Sequence, residues 1–149
     1  MTQQYGSLRE KIAAESAARR ERYAQYPAIV AEADAAGRKA AEAVNPTPMI
    51  VEQRENMLDD SSPVTKQWIV EGGVCGFGWV TVKPANCSFA IWAKKYDTAR
   101  RWGKDYYGGI SVSSPLMTQS MARNAAWARG FAQVLQSHGI KAQTHSRID

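Results

Sequence analysis

The residues best suited to chemistry lie between Trp92 and Tyr107, in the run WAKKYDTARRWGKDYY. Lys94, Lys95, Arg100, Arg101 and Lys104 are interleaved there with Trp92, Tyr96, Trp102, Tyr106 and Tyr107. Ammonium and guanidinium groups bind phosphates, and ring faces stack on bases at about 1–3 kcal/mol each. The combination predicts a surface for nucleic acid or another polyanion. Its contact residues would be Lys94, Lys95, Arg100, Arg101, Trp102, Lys104, Tyr106 and Tyr107. Asp97 and Asp105 dilute the charge, and a solvated face above buried rings would use the same residue types.

A second candidate is the hydroxyl-rich run SVSSPLMTQS, Ser111 to Ser120. It leads into a helix, whose free N–H groups and dipole favour an anion. Ser113, Ser114, Thr118, Gln119 and Ser120 are the candidate anion ligands. Plain N-capping by Thr118 or Ser120 accounts for the same pattern. There is no Gly-Lys-Ser/Thr phosphate loop.

Other chemistries find little support. Cys75, Cys87, His138 and His145 have no zinc-finger spacing. A Cys87–His145 nucleophile is unconstrained by any local motif. From Lys66 onward the acids are Glu71, Asp97, Asp105 and Asp149, too few and too scattered for a two-carboxylate or carboxylate–metal hydrolase. The expectation is a non-enzymatic protein with no metal and no cofactor.

The elements that must position these residues can be read from periodicity. Ser7 and Glu10 form a capping box, so a helix should run from Leu8 to about Gln25. Tyr26-Pro27 should interrupt it, because a residue before proline is pushed out of the α region. A second helix, Pro27 to Val44, follows, with Ile29, Val30, Ala33, Gly37, Ala40 and Val44 along one side. That pair could fold back on itself, dock on the rest of the chain, or make a homo-oligomer with another copy. Asn45-Pro46-Thr47-Pro48 ends the helical region.

Met49-Ile50-Val51 predicts a short strand, and Asp59 to Pro63 a loop. Lys66–Val70 and Val74–Lys83 read as two strands of a hairpin, joined at Glu71-Gly72-Gly73. Along the second, Cys75, Phe77, Trp79 and Thr81 alternate with Val74, Gly76, Gly78, Val80 and Val82. The glycines predict close packing by a helix, or otherwise a ligand against the backbone. A helix should then carry Phe89, Trp92 and Tyr96, and Asp97-Thr98 should cap a further turn ending near Gly103. Ile110 and Val112 mark a strand, a long helix should reach His138, and Gly139 should stop it. In the tail, Ile140, Ala142, Thr144, Ser146 and Ile148 should face inward, and Lys141, Gln143, His145, Arg147 and Asp149 water.

The fold class is therefore α+β: an Ala-rich helical segment, 1–47, followed by a two-layer domain, 48–149. The domain should hold a mixed or antiparallel sheet with two helices on one face. At 149 residues, 44% hydrophobic and 22% charged, the composition is that of a folded chain. Charge is uneven: residues 1–65 carry 8 Lys/Arg against 10 Asp/Glu, residues 66–149 carry 11 against 4. A basic, aromatic back half again suggests an anionic partner. No apolar run nears the roughly 18 residues of a membrane span, and Met1 to Lys11 lacks the apolar stretch of a signal peptide. The expected compartment is the cytoplasm, with reduced thiols.

Several stretches resemble uncharacterised small accessory proteins of tailed bacteriophages. They are Leu58-Asp59-Asp60-Ser61-Ser62-Pro63-Val64, Val74-Cys75-Gly76-Phe77-Gly78-Trp79-Val80 and Tyr106-Tyr107-Gly108-Gly109, with Gln119-Ser120-Met121, Gly139-Ile140-Lys141-Ala142 and Ser146-Arg147-Ile148-Asp149. Asp34-Ala35-Ala36-Gly37-Arg38 is a looser match. The resemblance covers somewhat over half the chain. It implies a viral accessory or virion protein in a bacterial host's cytoplasm and assigns no role to any residue. Besides polyanion binding, the Ala-rich helical front, which lacks a deep core of its own, suits a protein-interaction factor that blocks a host or defence complex in host takeover, or a virion component. A small nucleotide-binding protein is the third alternative.

Overall fold

A computed structural model describes residues 7–149; Met1 to Gly6, part of the polar N-terminus, lie outside the described residues. Helix α1 spans Leu8–Glu42 and opens on the expected capping box. The Glu10 N–H donates to Ser7 Oγ at 3.3 Å, and the Ser7 N–H donates to Glu10 Oε2 at 2.9 Å.

Contrary to the expected break at Tyr26-Pro27, α1 runs through Pro27 as one helix of 35 residues. A proline inside a helix forfeits a hydrogen bond and costs about 3 kcal/mol. Tertiary packing on both sides offsets that cost. The Tyr26 ring lies 5.2 Å from Phe89 and 5.3 Å from Trp92, and its hydroxyl donates to Ser88 Oγ at 3.0 Å. Just beyond the proline, Ile29, Val30 and Ala33 are buried in the main core. The small-residue face of α1 docks on the rest of the chain, where Gly37 and Gly130 let the backbones touch. A Cβ on Gly130 would stand 2.7 Å from the Ala36 carbonyl oxygen.

Strands β1 (Met49–Arg54) and β2 (Val64–Val70) form an antiparallel hairpin of their own. The expected hairpin of Lys66–Val70 with Val74–Lys83 does not form. The chain does turn at Gly73, where φ is +74° and a Cβ would stand 2.6 Å from the Thr47 carbonyl oxygen. The backbone after it pairs elsewhere: the Gly76 N–H donates to the Gln119 carbonyl, and the Met121 N–H to the Val74 carbonyl. That diverts β3 (Gly76–Val82) into a second sheet with β4 (Gly103–Lys104), β5 (Ile110–Ser113) and β6 (Ala142–Ile148). Its order is β4-β5-β3-β6, antiparallel throughout.

Helix α3 (Met121–Ser137) packs on the sheet face bearing Val80, Val82, Ile110 and Val112 through Trp127, Phe131 and Leu135. Helix α2 (Ser88–Tyr96) joins the same core: Phe89 meets Trp102 edge-on at 5.6 Å, and Trp102 meets Phe131 at 6.1 Å. Helix α1 lies on α3. The chain is thus α+β, with a long N-terminal helix and two antiparallel sheets. Ser120 rather than Thr118 caps α3, and Gly139, at φ +78°, follows its end as expected.

Candidate nucleic-acid interface

The run from Trp92 to Tyr107 is folded around two carboxylates. The Trp102 Nε1–H donates to Asp97 Oδ2 at 2.7 Å, and Arg100 Nη1 donates to Asp97 Oδ1 at 3.1 Å. Asp97 therefore organises a short turn at Thr98-Ala99, as expected, and the bend that follows it. Asp105 accepts the Tyr107 N–H at 2.9 Å and shapes the tight β4–β5 turn. Trp92 is buried, and Trp102, only 9% exposed, is a core ring unavailable to a ligand. Tyr106 is 93% exposed and sits beside exposed Tyr107 on the turn, ring centroids 5.1 Å apart. Lys94 and Lys95 leave the last turn of α2, Arg101 belongs to the bend, and Lys104 to β4. The predicted contact residues are thus distributed over four segments: the end of α2, the bend, β4 and the β4–β5 turn.

The hydroxyl-rich run divides. Ser120 Oγ accepts the Arg123 N–H at 3.4 Å, and Thr118 Oγ1 accepts the Ser120 N–H at 3.1 Å. The Gln119 carbonyl holds the first residue of β3. These three residues build the start of α3 and its seam with the sheet. Ser113 and Ser114 instead meet Arg100 and Arg101 around a cavity of about 390 Å³, walled by Ala99, Val112, Pro115 and Trp127.

The glycines of β3 face α3, as close helix packing requires. A Cβ on Gly76 would stand 2.9 Å from Met121 Cβ, and one on Gly78 would stand 2.4 Å from the Asn124 backbone. No room is left there for a ligand. Among the described residues no helix packs closely on the opposite face of the sheet, which is open at Phe77 and closed over Thr81. Residues paired across antiparallel strands share a face. Trp79 is paired with Ser113 on one side and His145 on the other, Phe77 with Arg147, and Thr81 with Ser111 and Gln143. The Trp79 and His145 rings are stacked 5.4 Å apart at 21°, and the Arg147 guanidinium lies 5.6 Å from the centre of the Phe77 ring. Phe77 is 46% exposed. Lys83 and Lys141 extend the same alternation at one end of the sheet, joined by the Lys83 N–H and the Lys141 carbonyl. Strands β3, β5 and β6 contain no acidic residue.

This surface was half visible in the sequence. Phe77 and Trp79 alternate outward along one strand, and His145 and Arg147 along the tail. Their adjacency needs the β3–β6 pairing, which no local motif announces. The tail's inward row keeps its parity, yet only Ala142 is buried, and Ile148 is 61% exposed. The reason is that β6 is an edge strand and α3 does not cover its far end.

Behind the cavity, Asp34 of α1 ties the helices together. It accepts Trp127 Nε1–H at 3.1 Å and Arg38 Nε at 2.9 Å. Burial raises the carboxyl's pKa, but the Arg38 and Trp127 hydrogen bonds and the Arg38 and Arg100 charges outweigh it. The result lies below the ordinary value of 3.8. A pKa depressed by folding stabilises the fold above the unfolded value, and that contribution fades as pH falls through the folded value. Asp34→Asn should therefore lower the melting temperature at neutral pH. The gap between variant and wild type should close below pH 3.8. A gap that persists unchanged in acid would show that the charge of Asp34 contributes nothing.

Cys75 and Cys87 are free thiols. Among the described residues no three His, Cys, Asp or Glu side chains are grouped as a metal site would need, and no helix is long and apolar enough to cross a membrane. Comparison with protein-family models, with curated proteins and with solved structures finds no match to this chain.

Proposed function

We propose that this chain is a non-enzymatic nucleic-acid-binding protein that takes single-stranded DNA or RNA across the open face of its four-stranded sheet. One observation carries this: a stacked ring pair, Trp79–His145, and a ring–cation pair, Phe77–Arg147, lie side by side on a face whose long strands hold no acid. Ring faces on a sheet accept unstacked bases, and neighbouring cations meet the backbone. A duplex keeps its bases inside and offers such rings nothing to stack on. The resemblance to small tailed-phage proteins supports an accessory role in a bacterial cytoplasm.

Fluorescence anisotropy with a short labelled oligo(dT) and oligo(U) tests this. Binding should be clear at low salt, weaken steeply as salt rises, and exceed that of the matching duplex. No detectable binding of either single strand at low salt would end the proposal.

A protein partner is the second reading, favoured by the β1–β2 hairpin. It exposes Ile50, paired with exposed Ile69, and Trp68, paired with Val51. A complex with a host or phage protein that is lost on Ile69→Lys, while oligonucleotide affinity is unchanged, would support that reading.

A further inference from the structure

The cavity beside the sheet joins two stretches that the sequence keeps apart: Arg100-Arg101 from the bend and Ser113-Ser114 from the end of β5. Strand β4 pairs with β5 only at Ile110 and Ser111, so the outer edge of β5 at Val112 and Ser113 has no neighbouring strand. The cavity occupies that edge. Ser113 belongs to both places, since it lines the cavity and is also the partner of Trp79 across the sheet. A strand lying over Trp79 would carry its sugar–phosphate backbone past this opening.

Charge selects the ligand. Arg100 is matched by Asp97 at 3.1 Å, and Arg38 by Asp34 at 2.9 Å. Arg101 is exposed and, among the described residues, has no carboxylate partner. The site therefore carries one uncompensated positive charge. Ser114 Oγ accepts the Leu116 N–H at 3.3 Å, which leaves its hydroxyl proton to give. Ser113 makes no side-chain bond among the described residues, so its hydroxyl is also a donor. One cation and two hydroxyl donors suit a singly charged oxyanion. A dianion would leave one negative charge unbalanced near Asp97 and Asp34. The remaining wall, exposed Ala99 and Pro115 over buried Val112 and Trp127, carries no charge. At about 390 Å³ the cavity is at the small end of ligand sites, which run about 300–1,000 Å³.

We infer that this cavity seats one internal phosphodiester of the bound strand and so fixes its position on the sheet, with Arg101 supplying the charge and Ser113 and Ser114 the hydrogen bonds. This rests on the single-strand reading above, and its test fails separately.

The probes are oligo(dT) of the shortest length that binds fully, each with one neutral methylphosphonate linkage, titrated against the whole chain. One linkage should stand out, its neutralisation weakening binding by about tenfold, the size of one charge-assisted contact. Arg101→Ala should weaken the unmodified strand by the same factor and remove the difference between linkages. It should also reduce the salt slope by about 0.7, the value of one single-strand phosphate. Ser113→Ala should show a smaller loss at the same linkage. If strands bind but all linkages are equivalent, or Arg101→Ala keeps the special linkage or the full slope, the phosphate seat is wrong and the sheet interface stands. A gain in affinity from a terminal phosphate that depends on Arg101 would assign the cavity to a monoester and overturn the inference. If no strand binds, both proposals fall.

Discussion

Gly78→Ala should lower the melting temperature by roughly 6–12 °C, at about 2–4 °C per kcal/mol for a chain of this size and about 3 kcal/mol of overpacking. The added methyl would stand 2.4 Å from the Asn124 carbonyl carbon and oxygen and 2.7 Å from the Ala125 nitrogen. All three atoms are helix backbone, so no side-chain rotation relieves the clash. α3 must move off β3, and that movement strains a second contact. Asn124 Nδ2 donates to the Gly76 carbonyl at 3.1 Å and to the Thr118 carbonyl at 3.2 Å, fastening the start of the helix to the start of the strand. Gly103→Ala is the control, because no atom lies within 4 Å of its added carbon. Thermal melts followed by circular dichroism compare them. Equal melting temperatures for the two variants would mean that α3 does not sit on the glycine face.

How much of this was legible beforehand depended on whether the deciding contact is local. The Ser7–Glu10 box, the Gly139 stop and the alternation of β3 concern neighbours within a few residues; the first two hold in the structure, and the third holds from Gly76 to Val80, beyond which Thr81 is buried as well. The glycine pair in β3 correctly pointed to a helix against the sheet, since few other partners approach a backbone so closely. Pro27 is different. Its local cost is real, and only Phe89, Trp92 and Ser88, far along the chain, show why the helix continues. The Glu71-Gly72-Gly73 turn misled for the same reason: it permits a hairpin, but the tail outbids β2 for β3 with a seven-residue ladder. The basic aromatic run was ambiguous from the start. Trp92 entered the core against Tyr26 and Phe89, and Trp102 because Asp97 could satisfy its indole, contacts that spacing alone does not reveal. The candidate interface emerged instead from two rows noted separately, which the β3–β6 register placed side by side.

Replacing both Phe77 and Trp79 with alanine should weaken single-strand binding by roughly 30- to 1,000-fold, about 2–4 kcal/mol for two lost stacking faces. Neither ring carries charge, so the slope of log affinity against log salt should not change. That separates the rings from Arg147, whose removal should flatten the slope as well as weaken binding. Phe77 is nearly half exposed and belongs to no buried cluster, so Phe77→Ala alone should change the melting temperature little. Trp79 is half-buried against His145, and its removal should cost some stability, which thermal melts will register independently of affinity. The decisive contrast is with Tyr106→Ala/Tyr107→Ala. Those rings are also exposed and also lie near lysines, but they stand on the β4–β5 turn at the Lys83 end of the sheet, not in the rows of Phe77 and Trp79. If stacking occurs on the sheet, the tyrosine pair costs little and the Phe77/Trp79 pair costs most of the affinity. If the tyrosine variant carries the loss and the sheet variant binds normally, the strand is held by the basic run from Lys94 to Tyr107, and the open sheet face has another purpose.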